Sequence, residues 1–301
     1  MCGIVGLFLK DRSLEPQLGA LLSDMLITMT DRGPDSAGIA IYGAAHAGRA
    51  KVTVQSPDPD TDFSGLEAAL KAAELEASVA VKSTHAVIEV AADEVGRVRS
   101  VLASIRPDIR IMGSGDRVEI FKETGLPKDV VARFDVPSMS GTHGIGHTRM
   151  ATESAVTTLG AHPFSTGADQ CLVHNGSLSN HNNLRRELVR AGIEFETQND
   201  SEVAAAYITA EMAGGKNLGQ ALTSALDDLD GFFTFVVGTK SGFGVVRDPI
   251  ACKPAVMAET DQYVAFGSEY RALASLPGIE TARVWEPEPA TVYFWDHENA
   301  A

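Results

Sequence analysis

Apolar residues fall into short runs separated by Gly, Pro, Asp and Asn, and the period of each run predicts its structure. Ile4-Val5-Gly6-Leu7-Phe8-Leu9 predicts a buried first strand that anchors the N-terminus in a sheet. Pro16 opens a segment in which Leu18, Leu21, Leu22, Met25, Leu26 and Met29 share one helical face, and Gly33 and Pro34 stop it and turn the chain. Residues 36–42 predict a second strand. From 44 to 140 the pattern changes to helices over 66–75 and 93–105, a strand over 78–90, and short strands over 109–112 and 117–121. Those short strands are joined by a turn at Gly113-Ser114-Gly115-Asp116, and the whole predicts a small α/β subdomain inserted in one 1–301 domain. Beyond it, Gly144 to Arg149 and Cys171 to His174 read as strands. Ser179 or Asn180 is placed to cap a helix through Leu184 and Leu188, and Asp200 or Ser201 to cap an Ala-rich helix reaching Met212. A helix over 218–226 and strands over 232–237, 243–246, 256–258, 263–266 and 291–294 complete the chain. Runs of strands and runs of helices without strict βαβ alternation predict an α+β class, packed sheets flanked by helices.

Charge narrows the partners. Lys and Arg number 25 against 40 Asp and Glu, a formal net charge of −15, which repels phosphate backbones and anionic membranes. The expectation is no nucleic acid and no membrane, but a small zwitterionic substrate or a partner protein. No stretch approaches a membrane span and the N-terminus lacks a signal-peptide pattern, so a cytoplasmic protein is expected. Cys2, Cys171 and Cys252 show no metal or redox spacing; Cys171 and Cys252 are expected to be buried structural thiols. The histidines at 85, 143, 147, 162, 174 and 181 have no regular ligand spacing, so no metal is expected.

Cys2 differs from the other cysteines by its place. If Met1 is removed, it carries a thiol and a free α-amine on one residue, and free α-amines titrate near about 7.7–8.0, close to free thiols at about 8.5. Nucleophile and base are then adjacent. Arg149 at a strand end, the Asn175-Gly176 pair, and Asp200 add a guanidinium, an Asn-Gly corner and a carboxylate. Attack on an amide needs a thiolate, donors for the oxyanion and groups that fix the substrate. A guanidinium suits an α-carboxylate and a carboxylate suits an α-ammonium, so the inferred ligand is a free amino acid.

The stretches MCGIVG at 1–6, RGPDSAG at 32–38, GIGHTRMAT at 144–152, HNGSLSN at 174–180, NDSE at 199–202, RDP at 247–249 and GSE at 267–269 resemble, in order, those of the class II glutamine amidotransferases. That resemblance implies an N-terminal-nucleophile hydrolase with a four-layer αββα sandwich, acting on L-glutamine. It implies Cys2 as nucleophile with its own amine as base, and Arg32 and Gly33 as part of the wall beside it. Arg149 is similar to the arginine that binds the glutamine carboxylate, with Thr152 nearby. Asn175 and Gly176 resemble the oxyanion hole, and Asp200 the group that receives the α-amine. Two residues depart from the family pattern, Asp31 and Glu153, each standing where a histidine is common. The insertion is also larger than in simpler members.

Because family members usually join this domain to an acceptor domain and the chain ends at Ala301, a separate subunit delivering ammonia to a synthase-type partner chain is expected. The nearest resemblance is to stand-alone GlxB-like subunits related to glutamate synthase, including that of N-methylglutamate synthase. In that setting partner chains carry FMN and iron–sulfur clusters, and this chain carries no cofactor. Rival readings are an amide hydrolase on another substrate, an N-methylglutamate synthase subunit with vestigial glutaminase activity, and a non-catalytic assembly subunit, with a homo-oligomer left open.

Overall fold

The structure is a computed structural model that describes residues 2–151 and 155–297. Strand β1 (Gly3–Leu9), helix α1 (Leu18–Thr28) and β2 (Ser36–Tyr42) come first. They are followed by β3 (Arg49–Gln55), α2 (Pro59–Asp62), α3 (Leu66–Ala72), β4 (Ser78–Lys82), β5 (His85–Ala91), α4 (Val95–Ile105) and β6 (Arg110–Gly115). Next are β7 (Val118–Thr124), α5 (Pro127–Arg133), β8 (His143–Arg149), β9 (Phe164–Gly167), β10 (Gln170–Leu178), α6 (His181–Arg190), α7 (Asp200–Ala213) and α8 (Leu218–Asp228). The remaining strands are β11 (Gly231–Gly238), β12 (Gly242–Arg247), β13 (Val256–Glu259), β14 (Tyr263–Gly267), β15 (Arg283–Trp285) and β16 (Val292–Asp296).

Side-chain alternation along these strands builds the layers. In β1, Val5, Leu7 and Leu9 pack with Leu22, Met25 and Leu26 of α1, while Ile4 and Phe8 face Val173, Val236 and Phe243 of the other sheet. A seven-stranded sheet ordered β15-β13-β14-β1-β8-β2-β7 therefore lies face to face with a five-stranded sheet ordered β16-β12-β11-β10-β9. Helices α1 and α5 cover the first sheet, and α6, α7 and α8 cover the second through Leu188, Val203, Ala221, Leu222 and Phe235. This is the αββα sandwich. Its inner seam is close-packed around small residues: a Cβ on Gly6 would meet the Phe243 ring at 2.6 Å, and one on Gly38 the carbonyl oxygen of His162 at 2.0 Å.

The inserted region is divided differently from the 44–140 reading. Strands β4-β5-β3-β6 form a separate four-stranded sheet with its own core of Val52, Val54, Leu66, Leu70, Ile88, Val98 and Leu102. β7 instead pairs with β2 at the edge of the seven-stranded sheet, where Ile120 enters the inter-sheet core and Phe121 the helix-side core beside Val130 and Val131 of α5. Both regions alternate apolar residues alike, so periodicity cannot tell which sheet a strand joins. Five further elements, β3, α2, α5, β9 and β15, have no counterpart in the sequence reading. The expected strand over 78–90 is a hairpin, broken at Ser83, which has φ 55°. The turn expected at 113–116 falls at Asp116-Arg117, because the carboxylate of Asp169 accepts from the amides of Asp116, Arg117 and Val118 at 2.7, 2.8 and 3.0 Å.

Candidate active site

Strand register brings the polar residues to one end of the seam. Gly3 pairs with Thr148 and Ser36 with Arg149, so Cys2, Arg149 and Ser36 lie together at the end of the seven-stranded sheet. Residues two apart in a strand share a face, and Ile4, Ile145 and Ala40 all belong to the inter-sheet core. Cys2, Arg149 and Ser36 therefore lie on that same inner face. Across the seam, Asn175 pairs with Thr234, and Thr234 with Arg247. Val173, Val236 and Val245 lie in the inter-sheet core, so this second polar row also faces inward.

Cys2 precedes the first ladder residue, and its backbone is held by side chains. Its carbonyl oxygen accepts from Arg32 Nε at 2.9 Å and from Asn175 Nδ2 at 3.2 Å, one donor from each sheet's side. Just beyond, Ile4 N donates to Ser268 Oγ at 2.9 Å and Ser268 N to the Ile4 carbonyl at 2.9 Å, which fixes the start of β1. Gly33 makes the Arg32 contact possible. A Cβ there would lie 2.4 Å from the Thr148 carbonyl carbon, so only glycine lets this turn press against the end of β8.

Arg32 is buried, with Nη1 on Glu269 Oε1 at 2.6 Å. Glu269 Oε2 in turn takes Arg271 Nε at 2.7 Å, and Arg271 Nη1 pairs with Asp31 at 3.2 Å. The hydrogen bond from Arg32, together with both guanidinium charges, holds the Glu269 carboxyl below its ordinary range. The carboxylate at position 31 is thus directed outward to Arg271.

Gly176 has φ 154°, and a Cβ on it would lie 2.0 Å from the Phe232 carbonyl oxygen, so the corner after Asn175 is closed to other residues. Asp200 lies at the same end, behind β10 on its helix side. Its Oδ2 accepts from Leu178 N at 2.9 Å, and its Oδ1 is 3.8 Å from His174 Nδ1. Neither Asp200 nor Ser201 is the helix cap. Asn199 takes that place, its side chain accepting from Ser201 N at 2.9 Å, because its extended backbone puts the carboxamide over the first turn. The other expected cap is Asn180, which makes no side-chain capping bond; its amide instead reaches the Asp228 carbonyl and its oxygen accepts from Asp230 N.

Arg149 is buried, with Nη1 3.3 Å from the Ala155 carbonyl. Asp35 closes the strand end by donating its amide to the Arg149 carbonyl and accepting from Ala151 N. Thr152 and Glu153 lie outside the described residues.

The buried histidines behind this row are kept neutral. Burial pushes His147 down to about 3 and His174 to about 4, the latter against the pull of Asp200; His162 is lowered by burial too. His147 donates Nε2–H to the His174 carbonyl at 3.1 Å and stacks on His162 with centroids 4.0 Å apart. Among the described residues no cluster of three or more His, Cys, Asp or Glu is arranged to hold a metal. Cys171 is buried, its thiol pushed up to about 12, whereas Cys252 is exposed, a correction to the buried thiol expected. It sits in the loop that buried Arg247 holds through the carbonyls of Ala251 and Lys253, so its neighbours are tied inward while its thiol faces out.

The structure thus brings together Cys2, Arg32, Gly33, Arg149, Asn175 and Gly176, with Asp200 joined to them through Leu178. It adds Ser36, Thr234, Ser268 and Glu269. The hydroxyls of Ser36 and Thr234, like Arg32 Nη2, are buried without a hydrogen-bond partner among the described residues. Ser36, Ser268 and Glu269 lie inside stretches the sequence singles out as motifs, whereas Thr234 sits in Phe232-Phe233-Thr234-Phe235 with no signal beyond its polarity. A cavity of about 460 Å³ opens elsewhere, beside Lys122, Phe164 and Phe195, and belongs to the side of the molecule facing the inserted sheet.

Residues 147–275 match the family described as a glutamine amidotransferase domain. The chain is 81% identical over 301 residues, the whole of both chains, to the glutamine amidotransferase-like protein GlxB of Rhizobium meliloti. It is 34% identical over 310 residues, 98% of this chain and all of the other, to a putative glutamine amidotransferase of Methanothermobacter thermautotrophicus. Among solved structures, glutamine phosphoribosylpyrophosphate amidotransferase from B. subtilis matches with TM-score 0.63 at 19% identity, over 99% of this chain and 48% of that one. The likeness to that larger enzyme is one of fold.

Proposed function

The chain belongs to the class II glutamine amidotransferases, and from that premise we propose that Cys2 is its nucleophile and that the ammonia it releases passes to a partner synthase chain. With Met1 removed, the α-amine of Cys2 takes the thiol proton. The thiolate attacks the side-chain amide carbon of L-glutamine, and the oxyanion is held by Asn175 and the Gly176 amide. An Asn carboxamide has two N–H donors, so Asn175 can hold the Cys2 carbonyl with one and the oxyanion with the other. As the tetrahedral intermediate collapses, the Cys2 ammonium returns its proton to the departing nitrogen, and ammonia leaves a γ-glutamyl thioester. Water, deprotonated by the same amine, cleaves the thioester to glutamate and restores the thiol. Arg149, with Thr152, receives the α-carboxylate and Asp200 the α-ammonium, while Arg32 and Gly33 wall the thiol.

The observation that supports this reading is the double hold on the Cys2 carbonyl by Arg32 and Asn175, which keeps Cys2 beside the Asn175 carboxamide. The test is an intact-mass spectrum before and after incubation with 6-diazo-5-oxo-norleucine. Loss of the methionine mass and one adduct at Cys2 are expected. A retained Met1 with no adduct overturns the glutaminase reading in favour of an assembly subunit. A single adduct with feeble glutamine turnover would point instead to the N-methylglutamate synthase setting.

A further inference from the structure

Cys2 has no ladder partner of its own, so the direction of its thiol and amine is set by whatever fixes its peptide plane. Two side chains do so. Asn175 must also serve the oxyanion in the proposed reaction, which leaves Arg32 as the hold that takes no part in binding it. Arg32 is only 7% exposed, and its guanidinium is oriented from one side by Glu269 Oε1 on Nη1, while Nη2 has no partner among the described residues. Glu269 cannot turn freely, because its other oxygen is held by Arg271, itself paired to Asp31 on the far side.

We propose that Glu269 is a positioning residue for the nucleophile: by fixing the Arg32 guanidinium it keeps Arg32 Nε on the Cys2 carbonyl, and so aims the thiol and amine of Cys2. The proposal rests on the reading of Cys2 as the glutaminase nucleophile. Without the Glu269 carboxylate, Arg32 is a desolvated cation whose terminal nitrogens have no partner among the described residues, and it will swing toward another acceptor or solvent. The Cys2 carbonyl then keeps a single donor. Substrate binding is little affected, since Arg149 and Asp200 stand on other elements. Displacements of about 1 Å at a reacting group cost up to roughly 10²-fold in rate.

The test compares wild type with Glu269→Gln and Glu269→Ala. Turnover of L-glutamine is measured per site titrated with 6-diazo-5-oxo-norleucine, so that misfolded molecules are not counted. Alongside it, the alkylation rate of Cys2 by iodoacetamide is taken relative to that of exposed Cys252 in the same molecule. The expected result is a kcat lower by about 10- to 100-fold in Glu269→Ala with KM within about threefold, and Glu269→Gln in between. The Cys2 to Cys252 alkylation ratio should shift by about threefold or more in Glu269→Ala, because the thiol is no longer aimed. A Glu269→Ala protein with wild-type kcat per site and a wild-type alkylation ratio overturns the proposal. So does a loss confined to the number of titratable sites. If wild type itself neither turns over glutamine nor takes the adduct, the glutaminase reading falls, and the alkylation ratio alone decides whether Glu269 positions Cys2.

Discussion

Asn175 holds the Cys2 carbonyl and, in the proposed reaction, would also hold the oxyanion. Its neighbour Gly176 cannot be replaced without striking the Phe232 carbonyl, so the corner is rigid before substrate arrives. Removal of one oxyanion donor costs about 10²–10³ in kcat. Asn175→Ala is expected to fall in that range while still accepting the 6-diazo-5-oxo-norleucine adduct slowly, measured as glutaminase turnover; undiminished turnover would remove Asn175 from the scheme. At this scale much was legible in the sequence. A cysteine directly after Met1, a loop arginine before glycine and an Asn-Gly corner each carry chemistry that depends on residue type. Thr234 was not legible, because a threonine among phenylalanines reads as strand propensity, and only register places it beside Asn175. Asp31 illustrates the converse: it departs from the family pattern beside Arg32, and its ion pair with Arg271 turns it outward.

Elements were legible where one sheet face and one helix stripe meet, as in β1, α1 and β2, whose apolar positions leave one register that buries both faces. They were poorly legible where pairing partners lie far apart in sequence. The turn between β6 and β7 shows why. Glycines at 113 and 115 suggest the bend, yet it lies at Asp116-Arg117 because Asp169, fifty residues on, gathers three successive amides there. Asp169 is buried and fixes the edge where the inserted sheet meets the sandwich. Asp169→Ala leaves those amides without their acceptor, and a buried group left unsatisfied costs about 1–3 kcal/mol. The expected outcome is a stability loss of that order by urea unfolding, with hydrogen exchange accelerated first at residues 116–118. Exchange at those amides unaltered from wild type would show that the turn stands without the carboxylate.

At the scale of the whole molecule, the buried histidines make stability depend on acidity. His85 opens β5 of the inserted sheet, His143 and His147 line the inter-sheet seam, and burial pushes each down to about 3, with His174 at about 4. An unfolded histidine titrates near about 6.5, so between that value and the depressed folded values the unfolded chain binds protons the fold refuses. The contribution is fully present above about pH 6.5 and is lost as pH falls toward 4 and 3. At pH 5 each such histidine withdraws about 2 kcal/mol, and four of them together rival the 5–15 kcal/mol that typically holds a domain. Unfolding midpoints in urea are therefore expected to fall steeply from pH 7 to pH 5 and to stay nearly flat from pH 7 to pH 8. Because His147 pairs with Ile4, two residues from Cys2, and bonds the carbonyl of His174, its acid-driven release would loosen the seam behind Cys2. In a His147→Gln protein, whose amide cannot take a proton in this range, the fall between pH 7 and pH 5 should be shallower by about the single-histidine amount. A slope equal to that of wild type would mean that His147 does not titrate on unfolding and that the seam owes its pH dependence to other groups.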